Sequence, residues 1–123
     1  MAVMTVAELQ DALRAKRVSA AEAMRETLQR IERHEPTLHA FVEVYGQEAM
    51  HAAEICDAAR AAGGGLGPLA GIPIAIKDNL LDEGHIASGG SHILEKYRAP
   101  YTATAVERLR RAGAIIVGRT NMD

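Results

Sequence analysis

The sequence predicts an α/β fold in which N-terminal helices lead into a strand, helix, strand unit with parallel strands. Three patterns predict it. Thr5–Glu8, Ser19–Glu22 and Thr104–Glu107 are capping boxes, a hydroxyl residue followed three positions later by glutamate, and mark helix starts. Ile72, Ile74 and Ile76 alternate with Pro73, Ala75 and Lys77 inside a Gly/Pro fence, which is the period of a strand. A second apolar run, Ala114-Ile-Ile-Val-Gly118, follows the last helix, and a strand that returns after a crossover helix lies parallel to the first.

Taken in order, the first box opens a short helix with Val6, Leu9 and Leu13 at helical spacing. The second opens a longer helix whose Met24, Leu28 and Ile31 form one apolar stripe, and Pro36 is expected to stop it. After a short apolar piece, Ala40 to Val44, small residues at Ala49, Ala52, Ala53, Cys56 and Ala59 predict a closely packed helix that ends at Gly63-Gly-Gly65. The strand Ile72 to Lys77 comes next, then a loop containing Gly84, Gly89 and Gly90. The third box starts a helix with Val106, Leu109 and Ala112 on one face, closed by Gly113 in a left-handed cap. Residues 1–123 thus read as one portion of a domain, helical over 1–62 and βαβ over 67–123. Two parallel strands with one crossover helix cannot cover both faces of a sheet, so the remainder of the domain is expected to lie beyond these residues.

Bulk properties exclude several classes. A net charge of −2 with no run of like charges gives no footprint for direct contact with nucleic acid or an anionic membrane, and one Phe, three Tyr and no Trp give no ladder for stacking bases. Neither a signal-like leader nor a membrane-length apolar stretch is read, so a cytoplasmic protein is expected. The histidines at 34, 39, 51, 85 and 92 have no ligand spacing, so no metal site is predicted, and Cys56 reads as a small core residue.

The chemistry concentrates where the first strand ends on Lys77-Asp78-Asn79 and the second on Arg119-Thr-Asn-Met-Asp123, because ligands of parallel sheets gather beyond the carboxyl ends of strands. Lys77 shares a face with two small residues, where an ammonium would lose hydration and favour the neutral amine, a base. On the strand alone, a lysine whose head snorkels into water explains the position as well. Alternation sends Asp78 to the opposite face, where it would fix the loop, while Asn79 would orient a neighbour of the site. Ser88 and Ser91 lie in a glycine-rich turn and are assigned no nucleophilic role.

Gly67-Pro-Leu-Ala-Gly-Ile-Pro-Ile-Ala-Ile-Lys-Asp-Asn79 closely resembles the lysine motif of the amidase signature family, serine hydrolases that cleave carboxamides. Ala103 to Asp123 is similar to the family's next block, with the Thr-Asn-Met-Asp ending typical of the branch that holds the A subunits of glutamyl- and aspartyl-tRNA amidotransferases. Val18-Ser-Ala-Ala-Glu22 and Ser91 to Tyr101 are similar to the same branch, so the resemblance covers essentially the whole chain. It implies the larger mixed-sheet amidase signature fold and a triad of a lysine, a bridging serine and a nucleophilic serine. By motif match the lysine is Lys77, and both serines would lie downstream of Asp123. Asn121 and Asp123 resemble part of the family's active-site rim.

The resemblance further implies glutamine as substrate and partner subunits B and C. ATP and magnesium would sit at the partner, with no cofactor on this chain, and tRNA would be met through the complex to make Gln-tRNA or Asn-tRNA. The isolated segment, lacking both serines, is expected to be inactive. Two other readings remain at this point: a segment of a stand-alone amidase acting on small amides, and a non-catalytic interaction module.

Overall fold

In a computed structural model, which describes residues 3–123, the first two capping boxes close as predicted. Thr5 accepts from the Glu8 N–H at 3.2 Å while the Glu8 carboxylate accepts from the Thr5 N–H at 2.7 Å, opening α1 (Val6–Arg14). That donated bond holds the Glu8 carboxyl below the usual carboxylate range. Ser19 and Glu22 repeat the exchange at 3.0 and 2.8 Å and open α2 (Ala20–Leu38). Asp57, in α3 (Gly46–Ala61), accepts from the N–H groups of Ala20 and Ala21 at 2.7 and 2.9 Å, so α3 satisfies donors that the start of α2 leaves free.

The apolar piece after α2 forms a strand, β1 (Phe41–Val44), which pairs antiparallel with β3 (Ile115–Thr120). On the other side of β3 lies β2 (Pro73–Lys77), parallel to it as predicted, and the sheet order is β1-β3-β2. Residues 1–62 therefore supply a strand to the sheet as well as helices. The crossover contains α4 (Thr104–Arg111) and, before it, a single 3₁₀ turn at His92–Leu94.

Three local expectations are corrected. Pro36 does not stop α2, which runs on to Leu38 and ends at His39 in the left-handed region (φ 49°). In the final turn a proline forfeits only one backward hydrogen bond, so the helix can absorb it. Thr104 does not cap α4: Ala103 is the capping residue, without a side-chain bond. Tertiary contacts fix that start instead, the Ala103 N–H donating to Leu81 O at 2.8 Å and the Glu83 N–H to Thr102 Oγ1 at 3.0 Å.

The three isoleucines also fail to share a face. Pairing between β2 and β3 shifts register between Ile74 and Ala75. Ile72 packs with Leu13, Met24, Ala53, Ile115 and Val117 on the side of α1, α2 and α3, whereas Ile76 packs with Tyr45, Val106 and Ile116 on the side of α4. Ile74 touches both clusters. An irregularity of one residue changes which face the following side chains occupy, and local alternation carries no sign of it. Gly113 does close α4 with φ 96°, and a Cβ there would lie 2.6 Å from Ala70 Cα.

Candidate active site

Lys77 is the last residue of β2 and is paired with Thr120, the last residue of β3, so the two polar tails emerge side by side. The Lys77 ammonium donates to Asp123 Oδ1 at 3.0 Å. Asn121 stands between them in sequence; its N–H donates to Ala40 O at 2.8 Å and its Oδ1 accepts from the Met122 N–H at 2.9 Å. Asn79 is exposed in the turn after β2. Of the residues singled out in the sequence, the fold thus joins Lys77 to Asp123 directly and sets Asn121 and Asn79 at the same edge.

The dehydration expected around Lys77 is not found in this segment: its side chain is 38% exposed. Among the described residues β2 has a strand on one side only, and Ala75 beside Lys77 is itself exposed. Small neighbours exclude water only when something covers them.

Asp78, by contrast, has no exposure at all. Its Oδ1 accepts from the Ser88 N–H at 3.1 Å and lies 2.8 Å from Arg119 Nε; its Oδ2 accepts from the Gly90 N–H at 3.3 Å and from the Ser88 hydroxyl. The loop-fixing role expected of Asp78 is thus carried by a fully compensated carboxylate. Ser88 spends its hydroxyl there, and the Ser91 hydroxyl accepts from the Ile93 N–H at 3.3 Å, so both serines do turn chemistry and neither is bonded to Lys77.

Arg119 was legible only as part of a polar tail, yet it is 6% exposed. It ties the network together by donating to Glu43 at 2.8 Å and to the Ile86 carbonyl. A lone arginine at the end of an apolar strand is the available signal, since such a charge must find a buried partner. A second buried carboxylate, Asp82, is forked by Arg110, at 2.7 Å for its Oδ2. His85 stacks on Tyr45 with ring centroids 4.2 Å apart and reaches Glu48 at 3.0 Å. Burial pushes the Tyr45 phenol up to about 12, with Glu43 acting in the same sense and Arg119 against it.

The amidase family model matches residues 22–123. The chain belongs to the amidase family. Among its relatives, the A subunit of the glutamyl-tRNA(Gln) amidotransferase of Synechococcus sp. (strain CC9605) is 46% identical over 120 residues, covering 98% of this chain and 24% of that protein. The peptide amidase of Stenotrophomonas maltophilia superposes with a TM-score of 0.90 at 36% identity, over 98% of this chain and 25% of that one. A bacterial aryl acylamidase of the amidase signature family superposes at 0.91 with 26% identity, over 96% of this chain and 25% of that one. This amidase chain spans about a quarter of the length of the curated relatives it matches. The four helices and mixed sheet of the described residues have the amidase signature fold. No described helix is long and apolar enough to cross a membrane.

Proposed function

We propose that this chain is the lysine-bearing N-terminal segment of the A subunit of a glutamine-hydrolysing tRNA amidotransferase, and that Lys77 is its base. The observation that carries the reading is the identity of 46% with such an A subunit across 98% of the chain, with Lys77 at the carboxyl end of a parallel strand.

In this reading, downstream residues supply a bridging serine and a nucleophilic serine. The Lys77 amine accepts a proton through the bridging serine as the nucleophile's oxygen bonds to the amide carbon of glutamine. The same proton returns to the departing nitrogen, so ammonia leaves and an acyl-enzyme remains for water to cleave to glutamate. Those downstream residues would also cover the open edge of β2 and withdraw Lys77 from water. Asn79, Asn121 and Asp123 would rim the substrate.

Ammonia would pass to the B protein of the complex, with C completing the assembly, to convert misacylated tRNA to Gln-tRNA or Asn-tRNA in the cytoplasm. In this reading ATP and magnesium would bind that partner. No step on this chain is routed through them.

The test is a chimera in which residues 1–123 replace the matching quarter of the Synechococcus A subunit, produced with the B and C subunits of the same organism. Glutaminase activity that is lost in Lys77→Ala and not restored in Lys77→Arg is expected. A folded chimera without activity, or one indifferent to Lys77→Ala, would defeat the reading. Hydrolysis of small amides but not of glutamine would redirect it to a stand-alone amidase.

A further inference from the structure

Asp78 commits its main chain as well as its carboxylate to one junction. Its N–H donates to Thr120 O at 2.9 Å, and its carbonyl accepts from the Gly89 N–H at 3.2 Å. Together with the carboxylate's hydrogen bonds to Ser88 and Gly90 and its ion pair with Arg119, these contacts bind the end of β2 to the end of β3 and to the Ser88–Gly90 turn.

The turn is shaped for this contact. Gly89 and Gly90 have φ of 57° and 76°, the region where side chains are strained, and this bend lets the amides of Ser88 and Gly90 converge on one carboxylate. A Cβ on Gly90 would stand 3.0 Å from Met122 Cγ, so the turn also packs on the tail that carries Asn121 and Asp123. Lys77 itself has little to hold it, since its ammonium partner Asp123 is 97% exposed. The peptide between Lys77 and Asp78 is rigid and planar, so whatever fixes residue 78 fixes the direction in which residue 77 leaves the strand.

We propose that Asp78 is the positioning residue for Lys77: its buried carboxylate locks the Ser88–Gly90 turn and Arg119 against the end of β2 and so aims the Lys77 amine into the amide-cleaving site. The inference rests on the reading of Lys77 as the base. It assigns Asp78 no contact with substrate.

The test uses the same chimera with Asp78→Asn, Ser88→Ala and Asp82→Asn. Asp82 serves as the control because it is a buried carboxylate paired with arginine, at 3% exposure, but it holds α4 and not the strand end. Asp78→Asn is expected to lower kcat for glutamine by about a hundredfold with KM nearly unchanged, as misplacement of a reacting group does. Ser88→Ala, which removes a single donor, is expected to lower kcat by about threefold. Both should shift the pH profile of kcat and speed hydrogen exchange in a peptide spanning residues 84–94. Asp82→Asn should lower the melting temperature while leaving kcat and its pH profile in place below melting.

A folded Asp78→Asn chimera with unchanged kcat overturns the inference, as does an equal loss of kcat in Asp82→Asn. Should Asp78→Asn fail to fold, an unaltered kcat in Ser88→Ala overturns it instead. Activity that survives Lys77→Ala removes the base assignment itself, whereas loss in Lys77→Ala with none in Asp78→Asn defeats the positioning role alone.

Discussion

Arg119 Nε lies 2.8 Å from Asp78 Oδ1, and the two residues are 6% and 0% exposed. The guanidinium also takes Glu43 and the Ile86 carbonyl, so one side chain of the central strand secures β1, the end of β2 and the loop beyond it. Taking away one member of a buried pair leaves the other charge without compensation. Arg119→Ala is expected to cost about 3 kcal/mol of stability, read by urea unfolding. A cost near zero would show that the remaining donors to Asp78 suffice.

Gly118 is required by contact rather than by backbone angle. A Cβ there would collide with Glu43 O and stand 3.1 Å from both Phe41 Cδ1 and Val44 Cα. β1 must move off β3 to admit it, so Gly118→Ala is expected to cost about 2 kcal/mol and to speed exchange of the β1 amides. Unchanged protection of Phe41 to Val44 would contradict the close approach.

The raised phenol of Tyr45 makes stability fall in alkali. Below the unfolded tyrosine value, near 10, both states are protonated and the contribution is complete; above it the unfolded chain releases its proton first, and stability declines until the folded value of about 12 is reached. The loss over that window is at most about 2.7 kcal/mol for two pH units. Tyr45→Phe should flatten the difference between melting curves at about pH 9 and pH 11. An identical alkaline loss in the variant would assign it to other groups.

The 123-residue chain on its own is expected to release no ammonia from glutamine, because Ser88 and Ser91 are engaged in turns and no serine reaches Lys77. Turnover in a coupled ammonia assay that Lys77→Ala abolishes would refute this.

The isolated chain should also self-associate. The outer edge of β2 has no partner strand among the described residues, and Ile93 and Tyr101 are 93% and 60% exposed. Light scattering across a concentration series tests it, and a monodisperse monomer that unfolds cooperatively would count against it.

Much of this was open to reading in the chain itself. The boxes at Thr5 and Ser19, the left-handed Gly113 and the parallel pairing of the two apolar runs follow from signals a few residues long. Lys77 and the tail to Asp123 could be placed at one edge because a βαβ unit leaves no other arrangement. Thr104 misled because its box was overruled by the docking of Ala103 on Leu81. Arg119 was hidden because its partners come from three separate segments.

By itself the sequence determined where the first two helices begin, where α3 and α4 end, which two strands run parallel and which lysine stands at their carboxyl edge. Those choices depend on capping, periodicity and crossover handedness, all of them local or topological. Only the tertiary structure decided that Ala40 to Val44 would edge the sheet, that Ile72 and Ile76 would enter different cores, and that Asp78 would be buried while Lys77 stayed half in water. Each of these turns on contacts distant in sequence, such as Arg119 with Glu43 at 76 positions apart, whose energies no short pattern encodes.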